Sequence, residues 1–104
     1  MRAATEHTPV RDRPAYAGRE NAATITPAAQ AERLRQAILL AACQPRVKAF
    51  FNFELVDETR LAGWQSGLLW RGSGPKPAAS AFTAAARAVR EGGVACGGGA
   101  DARP

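Results

Sequence analysis

The sequence predicts an α/β fold that is only a fraction of a larger repeating unit. Three observations support this fold class: an amphipathic helical pattern at 27–42, one apolar segment with strand periodicity at 47–53, and a second helical pattern at 77–90. The order helix, strand, long loop, helix belongs to a repeating α/β architecture. A lone strand needs hydrogen-bonded neighbours on its edges, and no convincing second strand is visible elsewhere in the 104 residues.

The first helix has clear start, stop and packing signals. Thr26 is a suitable N-cap, and Pro27 suits the first helical position, where a missing N–H costs nothing. Pro45 ends the helix, because the residue before a proline is pushed out of the helical region. One apolar stripe faces the interior: Leu34, Ile38 and Ala41.

The segment 47–53 alternates between two faces, as a strand does. Its odd-numbered positions are uniformly apolar, and its even-numbered positions are apolar only in the middle. That pattern is typical of a strand covered on both sides, with polar groups emerging at its C-terminal end. We therefore expect a polar loop rich in carboxylates after Phe53, containing Glu54, Asp57 and Glu58.

The remaining segments complete a three-part division of the chain. Residues 1–24 have no periodicity and predict an extended or disordered arm. Residues 25–91 form the structured segment, whose second helix at 77–90 has a buried stripe of Phe82, Ala85 and Val89, with Gly92 as its C-cap. Residues 92–104 predict a disordered glycine-rich tail.

The composition predicts a domain of marginal stability and gives little indication of a binding partner. Leu, Ile, Val and Phe make up 18 of 104 residues, below the roughly 20% at which a core becomes hard to build. The net charge is +5, but the arginines are scattered and no basic run reaches five residues, so we expect no nucleic-acid partner. We expect no disulfide between Cys43 and Cys96 and no metal site.

The same composition bears on location. The N-terminus has no apolar h-region and predicts no signal peptide, and no apolar run is long enough to span a membrane. The chain as written is therefore expected in the cytoplasm, although a full-length parent could be secreted.

The ordered motifs of residues 27–90 resemble a known family. The segment QAERLRQAILLAACQPRVKAFFNFELVDETRLAGWQSGLLWRGSGPKPAASAF is similar to the C-terminal end of bacterial (β/α)8-barrel glycoside hydrolases of clan A type, cellulase-like or xylosidase-like. The motifs that carry the resemblance are Cys43-Gln44-Pro45-Arg46-Val47, Phe51-Asn52-Phe53, Asp57-Glu58, Gly63-Trp64-Gln65-Ser66-Gly67-Leu68 and Lys76-Pro77.

This resemblance implies a partial (β/α)8 barrel comprising its seventh helix, eighth strand, active-site-side loop and eighth helix. Active sites of such barrels lie on the loops that follow the strands. The resemblance therefore places Asn52 and Glu54 at the barrel mouth and the loop 56–67 in a sugar cleft. It implies no cofactor.

Within that loop, the roles of two residues remain open. Trp64 either stacks on a sugar ring or covers the top of the hydrophobic core. Gln65 either hydrogen-bonds to sugar hydroxyls or stabilises the turn.

No residue is a firm catalytic candidate. A full barrel needs about 250 residues, so most strands are missing. Thr5-Glu6-His7 is only a faint likeness of the family's nucleophile motif, which makes Glu6 a weak candidate. Glu54 with Asp57 or Glu58 is not expected to work as a pair, because residues on one strand and its own loop rarely face each other across a substrate.

Two functions follow as hypotheses. In the first, the chain is a truncated C-terminal portion of a glycoside hydrolase: the parent binds carbohydrate and cleaves it with two carboxylates, and this chain alone is inactive until the missing barrel segment is supplied. In the second, it is a small non-enzymatic interaction module that folds on a partner or as an oligomer.

Overall fold

The computed structural model describes residues 8–19, 24–72 and 74–96. A 3-10 helix spans Val10–Ala15, α1 spans Pro27–Ala42 and α2 spans Pro77–Arg90. The 3-10 helix lies in the part of the chain for which an arm was predicted. The other described residues form turns and irregular segments, and they connect the helices.

Helix α1 is confirmed, with the predicted start and end. The Thr26 hydroxyl oxygen accepts a hydrogen bond from the Ala29 backbone N–H at 3.1 Å, which satisfies one of the free donors of the first turn. Leu34 and Ile38 of the predicted stripe are buried. The same helix also buries Gln30, a polar residue that the apolar pattern does not mark.

Helix α2 is also confirmed, except that Val89 of its predicted buried stripe is 37% exposed. It begins at Pro77 without a side-chain cap, and it ends at Arg90 with Arg87 and Arg90 in its last turn, where cations interact favourably with the helix dipole. Gly92 lies two residues after the last helical residue with a φ of 75°, a left-handed conformation that glycine adopts without strain.

The core is small and lies where the two α-helices pack together. Its buried members come from both helices, and partly buried residues of the intervening segment cover it. The buried members are Leu34, Ile38, Ala78 and Ala85, and the covering residues are Leu39, Phe50, Leu68 and Phe82. Two alanines contribute little apolar area, so the core stabilises this fold only modestly.

The predicted α/β class, a partial (β/α)8 barrel with a strand at 47–53, is wrong. The described residues are 43% helical with 7% in strand pairing and contain no sheet, and bridges such as Val56–Leu69 and Leu69–Pro75 are isolated. The physical reason is that a strand exists only with a hydrogen-bonded neighbour. Within the described residues, no backbone N–H of 48–53 donates to another backbone carbonyl.

The expectation of unpaired cysteines is also wrong. Cys43 and Cys96 form a disulfide with a Cα–Cα distance of 5.5 Å, and it connects the C-cap of α1 to the segment after α2. The C-terminal turns of both helices line one cavity, so the two ends lie side by side. Counting cysteines along the chain cannot reveal this proximity.

No helix in the described ranges is both long and apolar enough to cross a membrane.

Candidate functional site

A buried ion pair anchors the loop that follows the apolar segment. Lys76 Nζ lies 2.7 Å from Asp57 Oδ1, and both side chains are fully buried. The Tyr16 hydroxyl donates a hydrogen bond to Asp57 Oδ2 at 2.7 Å, and the Gly67 N–H donates to Oδ1 at 2.9 Å. Asp57 therefore joins the N-terminal segment, the loop and the residue before α2.

The environment of this pair changes two pKa values. Burial lowers the pKa of Lys76, although the hydrogen bond and charge of Asp57 act in the opposite direction. Burial, followed by the hydrogen bond to Asp57, raises the pKa of Tyr16 well above its usual range. Tyr16 thus remains a protonated donor to the carboxylate, as buried polar groups require.

Gln65 lies inside the loop. It is 1% exposed, and its Nε2 donates to the Arg60 carbonyl at 2.8 Å and the Glu58 carbonyl at 3.4 Å. The backbone carbonyl of Gln65 accepts hydrogen bonds from Gln30 Nε2 at 3.3 Å and from Lys76 Nζ at 3.2 Å. This geometry corresponds to the turn-stabilising alternative, since the side chain points at backbone rather than at solvent.

Glu54 has an unusual backbone. Its φ of 82° is the one positive value among described non-glycine residues. Such a conformation is costly for a residue with a Cβ, and it persists only where neighbours hold it. Asn52 supplies that support, because its Nδ2 donates to the Glu54 carbonyl at 2.9 Å and to the Ser66 carbonyl at 3.0 Å.

The carboxyl group of Glu54 is paired with a second one. Burial, and then a hydrogen bond and repulsion from Glu58, raise the pKa of Glu54 to about 7, and a hydrogen bond from the Ser66 hydroxyl at 3.2 Å opposes the change. Glu54 is therefore partly protonated near neutral pH. A protonated Glu54 offers a hydroxyl donor, and carboxylate oxygens accept hydrogen bonds.

Trp64 lies beside this pair and faces solvent. It is 52% exposed, and its ring meets Phe53 edge-to-face at 5.9 Å between centroids and an interplanar angle of 87°. A Cβ at Gly63 would overlap Glu58 Oε1, so glycine lets the Glu58 carboxyl approach the backbone next to Trp64. Trp64 does not belong to the core; its ring is exposed, and it follows the backbone position that the Glu58 carboxyl approaches.

The structure thus brings together three of the four predicted substrate-binding residues, Asn52, Glu54 and Trp64, and turns Gln65 inward. Glu6 lies outside the described residues. Sequence reasoning assigned no site role to Glu58, Ser66, Tyr16 or Lys76. The motifs around 57–58 and 76–77 mark two of these positions, but nothing in the sequence pairs Tyr16 with a carboxylate 41 residues away.

Among the residues the structure describes, no group of three His, Cys, Asp or Glu side chains is arranged to hold a metal ion. The chemistry that the site offers is hydrogen bonding, a carboxyl group that titrates near neutral pH and aromatic stacking.

In comparisons with known proteins, the chain matches no protein-family model, no curated protein and no solved structure. The function of the site is therefore inferred from its geometry.

Proposed function

We propose that this chain is the saccharide-binding C-terminal portion of a glycoside hydrolase and does not hydrolyse glycosides by itself. The observation that carries the proposal is the exposed Trp64 beside the Glu54–Glu58 pair, with Glu54 titrating near neutral pH. The barrel architecture is no part of this proposal.

The chemistry of the site suits a sugar ring. An aromatic side chain with one exposed face offers apolar area to the C–H groups of a pyranose, at little cost in conformational entropy. With a pKa of about 7, Glu54 can donate a hydrogen bond when it is protonated, and carboxylate oxygens accept hydrogen bonds, so a pair of neighbouring hydroxyls finds both kinds of partner. Asn52 holds Glu54 in place and is a positioning residue.

The same pair is unsuited to hydrolysis on its own. Glycosidases hold their two carboxyls roughly 5–9.5 Å apart on opposite sides of the scissile bond. The carboxyls of Glu54 and Glu58 are close enough to act on each other through a hydrogen bond, which is nearer than the separation of a glycosidase pair. At least one catalytic carboxylate of the parent must therefore be a residue other than these two.

Isothermal titration with cellohexaose and xylohexaose at pH 6 tests the binding. We expect millimolar or tighter affinity for one of them, and at least about fivefold weaker binding by Trp64→Ala. Leu40→Ala removes a 64% exposed apolar side chain from α1 and is expected to bind as the parent does. Equal affinities of the parent and Trp64→Ala, or no binding by either, would reject the proposal.

Release of reducing ends from the same oligosaccharides tests the second part of the proposal, that the chain does not hydrolyse glycosides by itself. We expect no turnover by the 104-residue chain. Turnover that disappears in Glu54→Gln would show that the pair is catalytic after all.

A further inference from the structure

One segment of the surface exposes large apolar side chains at alternate positions. These residues, named here the apolar strip, are Val47 at 45%, Phe51 at 86%, Phe53 at 61% and Leu55 at 63% exposure. Exposure alternates residue by residue from Phe50 to Val56, as in extended chain. Contiguous apolar patches on soluble monomers are uncommon and usually mark an interaction site.

The described part of the chain supplies no cover for this strip. The helices pack against Phe50, which joins the core, and Val47 borders the cavity between them, whereas Phe51, Phe53 and Leu55 remain exposed. Trp64 touches Phe53 at the edge of the strip and is itself half exposed. Burying one large apolar side chain contributes about 1.5–3 kcal/mol, so four such residues leave a considerable driving force unused.

The charges around the strip show what kind of surface fits it. Arg46 and Lys48 lie at its N-terminal end, and Glu58 and Glu54, which is ionised above its pKa of about 7, lie at its C-terminal end. The buried Asp57 adds no charge to the acidic end, because Lys76 neutralises it. The strip is therefore apolar in the middle, basic at one end and acidic at the other.

A surface of this kind is complementary to itself when one copy is rotated by 180°. The basic end of one strip then meets the acidic end of the other, and the apolar centres meet each other. A parallel arrangement would instead bring like charges together, which is destabilising. Closed two-fold contacts use the same patch on both partners, as this arrangement does.

We propose that the apolar strip is the interface of a homodimer, in which two copies of this chain pack strip against strip in opposite directions with Phe51 near the two-fold axis. The dimer does not depend on saccharide binding, although Glu54 and Glu58 belong to both surfaces. Phe51 takes no part in that site, and the dimer is measured without sugar.

Sedimentation velocity over a range of concentrations tests the dimer. We expect a species of twice the 10.9 kDa mass of one copy, and at least about tenfold weaker association of Phe51→Lys. Leu40→Lys introduces the same charge at a 64% exposed position on α1 and is expected to leave association unchanged. A monomer at all concentrations, open-ended aggregation, or equal effects of the two variants would overturn the proposal.

A charge exchange tests the direction of packing. At pH 8, above the pKa of about 7 of Glu54, Lys48→Glu and Glu54→Lys each place like charges at the two contacts, so each variant alone is expected to need a higher concentration than the parent to dimerise. Mixed together, they restore opposite charges at both contacts and are expected to form a heterodimer. Circular dichroism establishes that both variants are folded. If the folded variants show no gain on mixing, the antiparallel arrangement is wrong.

Discussion

At the scale of single residues, Glu54 makes stability depend on pH in an unusual direction. Its pKa is raised from 4.5 to about 7 by burial and by Glu58. Between these values the folded chain binds a proton that the unfolded chain has released, so the free energy of unfolding falls as pH rises from 4.5 to 7. Most carboxylates act in the opposite sense, because a partner lowers their pKa.

We expect Glu54→Gln to remove much of this decline, measured as the urea midpoint at half-unit steps from pH 4.5 to 8. Glu32→Gln is the control: Glu32 is exposed on α1, and its hydrogen bond from Arg35 lowers its pKa, so removing it cannot flatten the decline. A Glu54→Gln profile that runs parallel to that of the parent would show that Glu54 titrates normally.

Asp57 is the residue whose loss should matter most. Asp57→Asn keeps the shape but leaves the buried Lys76 without its counter-charge. Removing one partner of a buried pair costs about 3–5 kcal/mol, and we expect a loss of this size in urea unfolding. Replacing both partners, as Asp57→Asn with Lys76→Met, should cost less than Asp57→Asn alone. A loss under about 1 kcal/mol for the single variant would mean that water reaches Lys76.

The residues of the site differ in how far the sequence predicts them. Asn52 and Glu54 could be placed together, because both share one face at the end of an apolar segment. The positive φ of Glu54 could not, since it depends on hydrogen bonds from Asn52 to carbonyls of two segments. The hydrogen bond from Tyr16 to Asp57 could not be predicted either, because tertiary packing brings these two residues together.

At the scale of elements, helices are predicted well because their signals are local. A cap, a proline and a periodic stripe fix α1 within its own 16 residues. The segment 47–53 has an equally clear pattern, yet it forms no strand. Its pattern indicates a preference for an extended conformation. The neighbouring strands that would hydrogen-bond to it in a sheet are not among the described residues.

The cap of α1 can be tested directly. Thr26→Ala removes the hydrogen bond from Ala29 and is expected to lower the free energy of unfolding by about 1 kcal/mol. Ser80→Ala is the matched control in α2, because its hydroxyl bonds a carbonyl inside the helix and replacing it should change stability by less than about 0.5 kcal/mol. Equal losses would mean that the first turn of α1 contributes nothing to the folded state.

At the scale of the whole molecule, a small core and a long cross-link share the task of stabilisation. The disulfide joins Cys43 to Cys96, which are 53 residues apart in the sequence. The apolar strip, the loop after it and α2 all lie between these two cysteines. Constraining the unfolded chain over that length stabilises the fold by about 4 kcal/mol in the chain-entropy account. Since small domains have total stabilities of about 5–15 kcal/mol, the bond accounts for a large share.

We therefore expect reduction to shift this protein close to its unfolding threshold. Addition of dithiothreitol should lower the urea midpoint by an amount equivalent to about 4 kcal/mol, and Cys43→Ser with Cys96→Ser should reproduce that midpoint and be insensitive to the reductant. Because the bond joins the ends of α1 and α2 beside their shared cavity, the circular dichroism of both helices should be lost in one transition. A reduced chain as stable as the oxidised one would mean that the packing of α1 against α2 suffices, and that the cross-link adds nothing to the fold.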